Sequence, residues 1–184
     1  PFSNHSAILG YASAYLEIRA QWRAGEMPKP DHIYMCSAGN SYLGLRIAAD
    51  LAQDDLDILT FPPLTWKESG LADVAPDRTA FLAKKVGEFA EFSGTAIPAH
   101  GIKYDDTFVG DGYGIPTPAS IDAVKLVAAT EGILLDPIYT GKAMAGLIRH
   151  IKNGNSNLSG NVLFLHSGGA VNVFTYAENF SRTA

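Results

Sequence analysis

The stretch Glu131-Gly-Ile-Leu-Leu-Asp-Pro-Ile-Tyr-Thr-Gly-Lys-Ala143 decides how the fold is interpreted, together with Val162-Leu-Phe-Leu-His-Ser-Gly-Gly169 about twenty residues later. Gly132 ends one helix, and the next helix is predicted over residues 140–152. The second stretch begins with an apolar run that predicts a strand over residues 161–166. Tyr139 therefore lies between Pro137 and a helix start, from which a phenol can project into a cleft, and Ser167 lies at the end of a strand.

The rest of the chain alternates between helix and strand periodicity. Strand, turn, helix and strand follow one another from residue 32 to residue 61, which is the order of a βαβ unit. We therefore expect an α/β fold with an open, mostly parallel sheet and flanking helices, with residues 1–184 as a single unit. The predicted helices are 6–23, 41–53, one between the cap Asp77 and Gly94, and one between Thr117 and Gly132; the other predicted strands are 32–36 and 56–61; residues 104–118 form a long loop and residues 171–180 a final helix or irregular tail.

The composition is that of one moderate globular unit. The chain has 184 residues, of which 47% are hydrophobic and 18% charged, so it can bury a substantial core. Its formal net charge of −5 argues against nucleic acid or an anionic membrane as the main partner, because both favour a basic surface. The single Cys36 cannot form an internal disulfide, and the sequence shows neither a membrane-spanning run nor a signal-peptide pattern, so we expect the cytosol. The five His residues show no metal-ligand spacing.

The segment Ser37-Ala-Gly-Asn-Ser41 has the composition of an anion-binding turn. Small residues between a strand and a helix let successive backbone N–H groups approach an anion, and the helix start adds a favourable dipole and the Ser41 hydroxyl. Ala38, Gly39, Asn40 and Ser41 are therefore candidate phosphate-binding residues that need no basic side chain. From the residues alone, such a segment is more often only an ordinary strand-to-helix turn.

Three segments of the chain together resemble the D-cysteine desulfhydrase and 1-aminocyclopropane-1-carboxylate deaminase family of pyridoxal-phosphate enzymes. Leu135-Asp-Pro-Ile-Tyr-Thr-Gly-Lys142 is similar to the family's Leu-Asp-Pro-Val-Tyr-Thr/Glu-Gly-Lys, and His166-Ser-Gly-Gly169 to its His-Thr-Gly-Gly. Residues 38–45 match the spacing of its phosphate loop, Ser-Gly-Gly-Thr-Gln-Ala-Gly-Leu. The resemblance implies pyridoxal 5'-phosphate as cofactor and the fold of fold-type-II (tryptophan synthase β-like) enzymes.

The resemblance also implies that the chain is the C-terminal portion of the family's cofactor-binding large domain. Nothing in the sequence matches the Gly-Gly-Asn-Lys segment that supplies the family's cofactor-binding lysine in the N-terminal half. We therefore expect a fragment that lacks this lysine and is inactive alone. Lys142 matches the Gly-Lys pair beside the family's tyrosine and not its cofactor lysine, so a structural or anion-facing role is expected for it.

The resemblance assigns roles to several further residues. Tyr139 matches a tyrosine beside cofactor and substrate, where a phenol can move a proton, although a tyrosine alone would be interpreted as ordinary packing. Tyr113 matches a loop tyrosine that approaches the substrate, in a loop that Gly and Pro also explain. Thr140 stands where the deaminase branch has Glu, which favours the desulfhydrase branch and adds Thr140 to the cofactor-binding set.

Two other residues are implied to face the cofactor ring. Ser167 matches the partner of the pyridine nitrogen, and a neutral hydroxyl there leaves that nitrogen largely unprotonated, which suits elimination more than transamination. Without the resemblance, Ser167 would be a loop serine before two glycines. Asn4 resembles the Asn of the family's Gly-Gly-Ser-Asn segment and can orient the ring substituents.

The implied reaction of the intact enzyme is β-elimination or deamination of a small amino acid to a keto acid and ammonia. Family members are commonly homodimers, so the same is expected here. Two alternatives stay open: another fold-type-II enzyme, such as a cysteine synthase or a threonine dehydratase, and a non-catalytic remnant that binds a phosphate ligand.

Overall fold

A central βαβ unit organises the fold. The computed structural model describes residues 5–98, 101–154 and 158–180. Strand β1 (His32–Cys36) is followed by helix α2 (Asn40–Leu51) and strand β2 (Asp57–Phe61), after an N-terminal helix α1 (His5–Arg23). The two strands pair in parallel, with Cys36 opposite Phe61, which confirms the predicted βαβ unit.

A third parallel strand lies on the other side of β1. Strand β3 (Val162–Leu165) pairs with β1 so that Leu165 lies opposite Met35, and the sheet order is β2-β1-β3. Between β2 and β3 the chain forms α3 (Arg78–Ser93), α4 (Pro118–Glu131) and α5 (Thr140–Lys152). After β3 come the short helix α6 (Asn172–Thr175) and a 3-10 turn over Ala177–Phe180.

Both faces of β1 are covered by helices. Ile33 and Met35 point into a core shared with α1, α2 and α3, whereas Tyr34 and Cys36 pack against α5 on the opposite face. Side chains alternate between the faces of a strand, so a strand covered on both sides is apolar throughout. This explains why His32–Cys36 has a continuous buried pattern instead of an alternating one.

The predicted helix boundaries follow from local signals. Asp77 accepts the Ala80 N–H and Thr117 the Ser120 N–H, so both cap their helices as predicted, with Pro118 in the first turn. Gly94 and Gly132 end α3 and α4 in the left-handed conformation. Helix α2 was predicted to reach residue 53 and ends at Leu51.

The early end of α2 has a backbone cause. Gln53 has a φ of 57°, a left-handed value that a continuing helix cannot contain. At the other end, α2 lies unusually close to α1, because a Cβ on Gly44 would come within 2.4 Å of the Ile8 carbonyl oxygen. Residues 171–180, predicted as a helix or an irregular tail, form the two short turns at the C-terminal end.

Candidate active site

The candidate site lies where β1 and β3 end side by side. The register places Met35 opposite Leu165, so residues 37–41 and Ser167 leave neighbouring strands at the same edge of the sheet. The chain leaves β1 toward β2 on one side, while β3 lies on the other. Parallel sheets bind ligands outside the carboxyl ends of their strands at such a switch point.

Residues 37–41, the 37–41 loop, concentrate hydrogen-bond donors at the start of α2. The Gly39 N–H (3.1 Å) and the Tyr42 N–H (3.3 Å) donate to Ser37 Oγ, which lies 2.7 Å from Ser41 Oγ. Thr60 Oγ1 donates to the Ser37 carbonyl (2.8 Å) and fixes the start of the loop. The N–H groups of Asn40 and Ser41 have no acceptor among the described residues.

A cavity of about 510 Å³ opens beside this loop. Its size is within the range of small-molecule and cofactor sites. The residues that line it come from both strand ends and from two loops: Cys36, Ser37, Ala38, Ser41, Pro63, Leu64, Tyr113, Tyr139, Ser167, Gly168 and Gly169. Residues that are far apart in sequence therefore share one polar-rimmed cleft.

Most of the predicted site residues meet in or beside this cavity. Ala38, Ser41, Tyr113, Tyr139 and Ser167 line it. Gly39 and Asn40 line an adjoining cavity of about 220 Å³ that shares Ala38. Thr140, also predicted to bind the cofactor, does not line the cavity: it is fully buried and its hydroxyl donates to Asp136. Asn4 is outside the described residues.

The two predicted catalytic tyrosines form a hydrogen-bonded pair. The Tyr113 hydroxyl contacts the Tyr139 hydroxyl, and the ring centroids are 6.1 Å apart at an interplanar angle of 62°. The hydrogen bond with Tyr113, in which the neutral Tyr139 phenol is the donor, and secondarily burial raise the pKa of Tyr139 to about 12. The Tyr139 phenol is thus neutral near pH 7, and its contact with the Tyr113 hydroxyl is a path along which a proton can pass.

Comparison with known proteins identifies the family. The sequence model described as pyridoxal-phosphate dependent enzyme matches residues 1–168. The chain belongs to the pyridoxal-phosphate-dependent enzyme family. Two similar curated proteins are D-cysteine desulfhydrases from Salmonella paratyphi C (strain RKS4594), 34% identical over 178 residues, and from Salmonella newport (strain SL254), 35% identical over 179 residues.

A solved structure supports the same family assignment. A crystal structure described as an ACC deaminase homologue superposes with a TM-score of 0.79 at 26% sequence identity, over 96% of this chain and 50% of the other. The two desulfhydrases are matched over 96% of this chain and 51% of their own length. The chain therefore spans about half the length of the curated relatives it matches. The predicted family resemblance and fold-type-II class are confirmed.

The residues of the cavity fit pyridoxal phosphate. Ser37 Oγ already stands as an oxygen acceptor among the donors at the start of α2, and a phosphate oxygen has the same chemistry. Two further N–H groups and the Ser41 hydroxyl are available there. The Ser167 hydroxyl, exposed at the end of β3, supplies a neutral polar group for a ring nitrogen.

Asp136 is the buried organiser of the Tyr139 turn, and the sequence interpretation gave it no role. It is 0% exposed and accepts four hydrogen bonds of 2.8–2.9 Å, from the N–H groups of Ile138, Tyr139 and Thr140 and from Thr140 Oγ1. Asp before a helix start favours such local bonds, which was the available signal. Gly169 packs directly against the same carboxylate: a Cβ at this position would lie 2.7 Å from Asp136 Oδ1, so a larger residue would not fit without a shift.

Lys142 holds the loop that carries Tyr113. It is 1% exposed, and its Nζ donates to the carbonyls of Val109 (2.6 Å) and Gly112 (3.1 Å). Burial lowers the pKa of Lys142. These contacts give Lys142 a structural role, one of the two roles expected for it, and its Nζ is turned to main-chain carbonyls.

Residues 104–117, which precede α4 and are called the 104–117 loop, are held by two more groups, and sequence patterns indicated neither. The Tyr113 N–H donates to Glu68 Oε1 (2.9 Å), and this bond, with two from Thr65, lowers the pKa of Glu68. At the start of the loop, His150 Nε2 lies 3.1 Å from Asp105 Oδ2. Helix α5 therefore holds the loop both near its beginning, through His150, and near Tyr113, through Lys142.

The described residues around the cavity offer neither a thiol nucleophile nor a metal site. Burial raises the pKa of Cys36 to about 12, so its thiol is neutral and not a nucleophile near pH 7. Among the described residues, no group of three or more His, Cys, Asp or Glu side chains could hold a metal ion. Over the same ranges, no helix has both the length and the apolar character required to cross a bilayer.

Proposed function

We propose that the full-length protein is a pyridoxal-phosphate-dependent lyase or deaminase acting on a small amino acid. The main support is the convergence of the 37–41 loop, Ser167 and the Tyr113–Tyr139 pair on one cavity. D-cysteine desulfhydrase is the name of the relatives at 34–35% identity, so we favour conversion of D-cysteine and water to pyruvate, sulfide and ammonia. An ACC deaminase-like reaction is the related alternative.

Each residue has a proposed task. Bound pyridoxal phosphate would supply an electron-withdrawing ring that acidifies the substrate amino acid. Ser41 and the N–H groups of the 37–41 loop bind the phosphate, and Ser167 faces the pyridine nitrogen. Tyr139 moves a proton at the substrate, with Tyr113 as its hydrogen-bond partner. Thr140 contributes indirectly, because its hydroxyl is bonded to Asp136 and fixes the turn that carries Tyr139.

The chain is proposed to be the C-terminal portion of the cofactor-binding large domain, with the cofactor-binding lysine outside it. In support, Lys142 Nζ is occupied by two carbonyls and Lys142 does not line the cavity. Borohydride reduction of the cofactor-loaded full-length protein, followed by peptide mapping, should label a lysine outside this chain. A stoichiometric adduct on Lys142 would overturn this assignment. A cytosolic location and a homodimer, as expected from the family resemblance, complete the proposal.

The activity is tested with the full-length protein and four amino acids. D-cysteine should give pyruvate, sulfide and ammonia in equal amounts, measured by separate assays. 1-Aminocyclopropane-1-carboxylate tests the deaminase alternative. O-acetylserine supplied together with sulfide tests the cysteine synthase reaction, and threonine alone tests the threonine dehydratase reaction. If the absorption spectrum shows that pyridoxal phosphate is bound but none of the four amino acids is converted, the result would favour the non-catalytic remnant and contradict the lyase proposal.

The role of Ser167 has its own test. A Ser167→Asp variant would place a carboxylate opposite the pyridine nitrogen, and charge pairing would favour the protonated ring. The expected result is the appearance of transamination or racemisation products and a changed pH dependence of the cofactor absorption. Unchanged products and spectra in a folded, cofactor-loaded variant would show that Ser167 does not face the nitrogen.

A further inference from the structure

Arg78, the first residue of α3, is buried without a carboxylate partner. It is 2% exposed, and among the described residues no Asp or Glu lies within salt-bridge distance of it. Its guanidinium lies 5.7 Å from the ring centroids of Trp66 and Tyr104, within the range of cation–π attraction. Its Nε has no hydrogen-bond partner over the same ranges.

Such a group is costly unless something compensates it. Burial lowers the pKa of Arg78, yet a guanidinium remains charged at neutral pH. Tyr104 and Asp106 act on it through space and oppose this shift without forming an ion pair. Removing a charge from water is unfavourable unless a counter-charge or a full set of hydrogen bonds offsets it. The site therefore favours a nearby anion.

The two hydrogen bonds of Arg78 lead to the wall of the candidate active site. Its Nη2 donates to the Leu64 carbonyl (2.9 Å) and its Nη1 to the Ala38 carbonyl (3.4 Å). Ala38 and Leu64 both line the 510 Å³ cavity. Arg78 itself lines the adjoining 220 Å³ cavity, together with Gly39 and Asn40. Among the described residues it is the only Lys or Arg that lines either cavity.

We propose that Arg78 is the positive charge of the phosphate subsite, acting from behind the 37–41 loop. It is a positioning residue: by holding the Ala38 and Leu64 carbonyls it fixes the loop with its N–H groups directed at the anion, and its charge strengthens their attraction. The anion in turn compensates the buried guanidinium. This inference rests on the proposed function, because it assigns the phosphate of pyridoxal phosphate to this loop.

The test isolates the phosphate from the covalent chemistry of the cofactor. Pyridoxine 5'-phosphate and pyridoxine lack the aldehyde, so both bind without attachment to lysine. Their dissociation constants are measured by calorimetry on the cofactor-free full-length protein, with inorganic phosphate as a competitor. The variants are Arg78→Met, which removes the charge at similar volume, and Arg78→Lys. Lys84→Met, an exposed site on the same helix, is the charge-matched control.

The Arg78→Met variant should lose the parent's preference for pyridoxine 5'-phosphate over pyridoxine. Pyridoxine phosphate should bind about tenfold or more weakly than to the parent, the size expected for lost charge-assisted bonds. Pyridoxine should bind within about twofold of the parent, Arg78→Lys should fall between, and Lys84→Met should equal the parent. Should Arg78→Met not fold by circular dichroism, Arg78→Gln, which keeps an amide donor, gives the same comparison.

Two failures can be told apart. A folded Arg78→Met or Arg78→Gln variant that keeps the parent's preference for pyridoxine phosphate over pyridoxine overturns the role of Arg78 alone. A parent protein that shows no such preference, and no competition by inorganic phosphate, overturns the phosphate site and with it the proposed function.

Discussion

The 37–41 loop and the Tyr113–Tyr139 pair line the same cavity but are built in different ways. The loop is one strand-to-helix turn, whose donors follow one another along five residues. The phenol pair joins residues 26 positions apart and exists only because the 104–117 loop is held against α5. Each half rests on a buried cation that donates to main-chain carbonyls, Arg78 in the first and Lys142 in the second.

This difference indicates which half of the site, the 37–41 loop or the phenol pair, is more sensitive to substitutions elsewhere in the protein. The donors of the loop depend on strand and helix geometry and, beyond that, on the single support Arg78, so other changes outside the cavity should alter them little. The phenol pair depends on several long-range contacts, so it should be sensitive to changes well outside the cavity. The following variants of the full-length enzyme measure both halves: turnover reports the phenol pair, and pyridoxine phosphate affinity reports the loop.

The largest effect is expected for Tyr139→Phe. Tyr139 is the proposed proton-transfer group, so its loss should lower kcat by about 10²–10⁴-fold. Pyridoxine phosphate affinity should remain near that of the parent, because the 37–41 loop is untouched. Tyr11→Phe, on α1 and away from the cavity lining, is the control. Turnover within a few-fold of the parent would reduce Tyr139 to a packing role.

A smaller but still substantial effect is expected for Lys142→Met. The Val109 and Gly112 carbonyls lose their buried donor, which should lower the free energy of unfolding by about 1–3 kcal/mol in urea titrations. Turnover should fall by about tenfold or more, because Tyr113 loses its support. Lys152→Met, exposed on the same helix, should match the parent. A fall in pyridoxine phosphate affinity equal to the fall in turnover would contradict the separation of the two halves.

Tyr113→Phe should lower the pKa of Tyr139 and leave the fold unchanged. The hydrogen bond that Tyr139 donates to Tyr113 is the main cause that raises the pKa of Tyr139 to about 12, so its removal should move that pKa downward. The alkaline limb of the pH–rate profile, and the ultraviolet titration of tyrosinate, should both move to lower pH. A Tyr139 titration at the parent position would show that the two phenols do not interact in solution.

The smallest effect is expected at Glu68. Its pKa is lowered by bonds from the Tyr113 N–H and from Thr65, so these bonds stabilise the loop above the ordinary glutamate pKa of about 4.3 and are lost as pH falls through the lower folded value. Limited proteolysis of the 104–117 loop should accelerate over that acidic range in the parent. In Glu68→Gln this acceleration should be absent, with turnover near pH 7 reduced only a few-fold. An identical acidic profile in both proteins would contradict the role of Glu68.

Sequence reasoning recovered the features whose causes are local. The caps Asp77 and Thr117, the left-handed Gly94 and Gly132, and the strand His32–Cys36 all depend on neighbours a few residues away. The strand-to-helix turn at residues 37–41 is of this kind as well, whereas its phosphate-binding role stays a prediction. Its donors lie within one turn, so composition was sufficient to nominate it.

The supports of the site could not be predicted in this way. Arg78 begins a helix, where arginine normally faces water. Here it is buried and donates to the carbonyls of Ala38 and Leu64, which are 40 and 14 positions away in sequence. Lys142 reaches carbonyls 33 and 30 positions away. Such contacts depend on tertiary packing, for which no spacing rule exists in a single sequence. Asp136 belongs to the motif around Tyr139, yet its four accepted bonds form only in the folded turn.

The double attachment of the 104–117 loop to α5 determines how the site can move. Tyr139 stands at the first turn of α5, and the loop that carries Tyr113 is bound to the same helix through Lys142 and, near its other end, through His150 and Asp105. A displacement of α5 therefore pulls on both phenols together, against the bonds that hold the loop to Glu68 and Thr60. The gap between the phenols and the 37–41 loop would widen or narrow while the proton path between Tyr113 and Tyr139 stays intact.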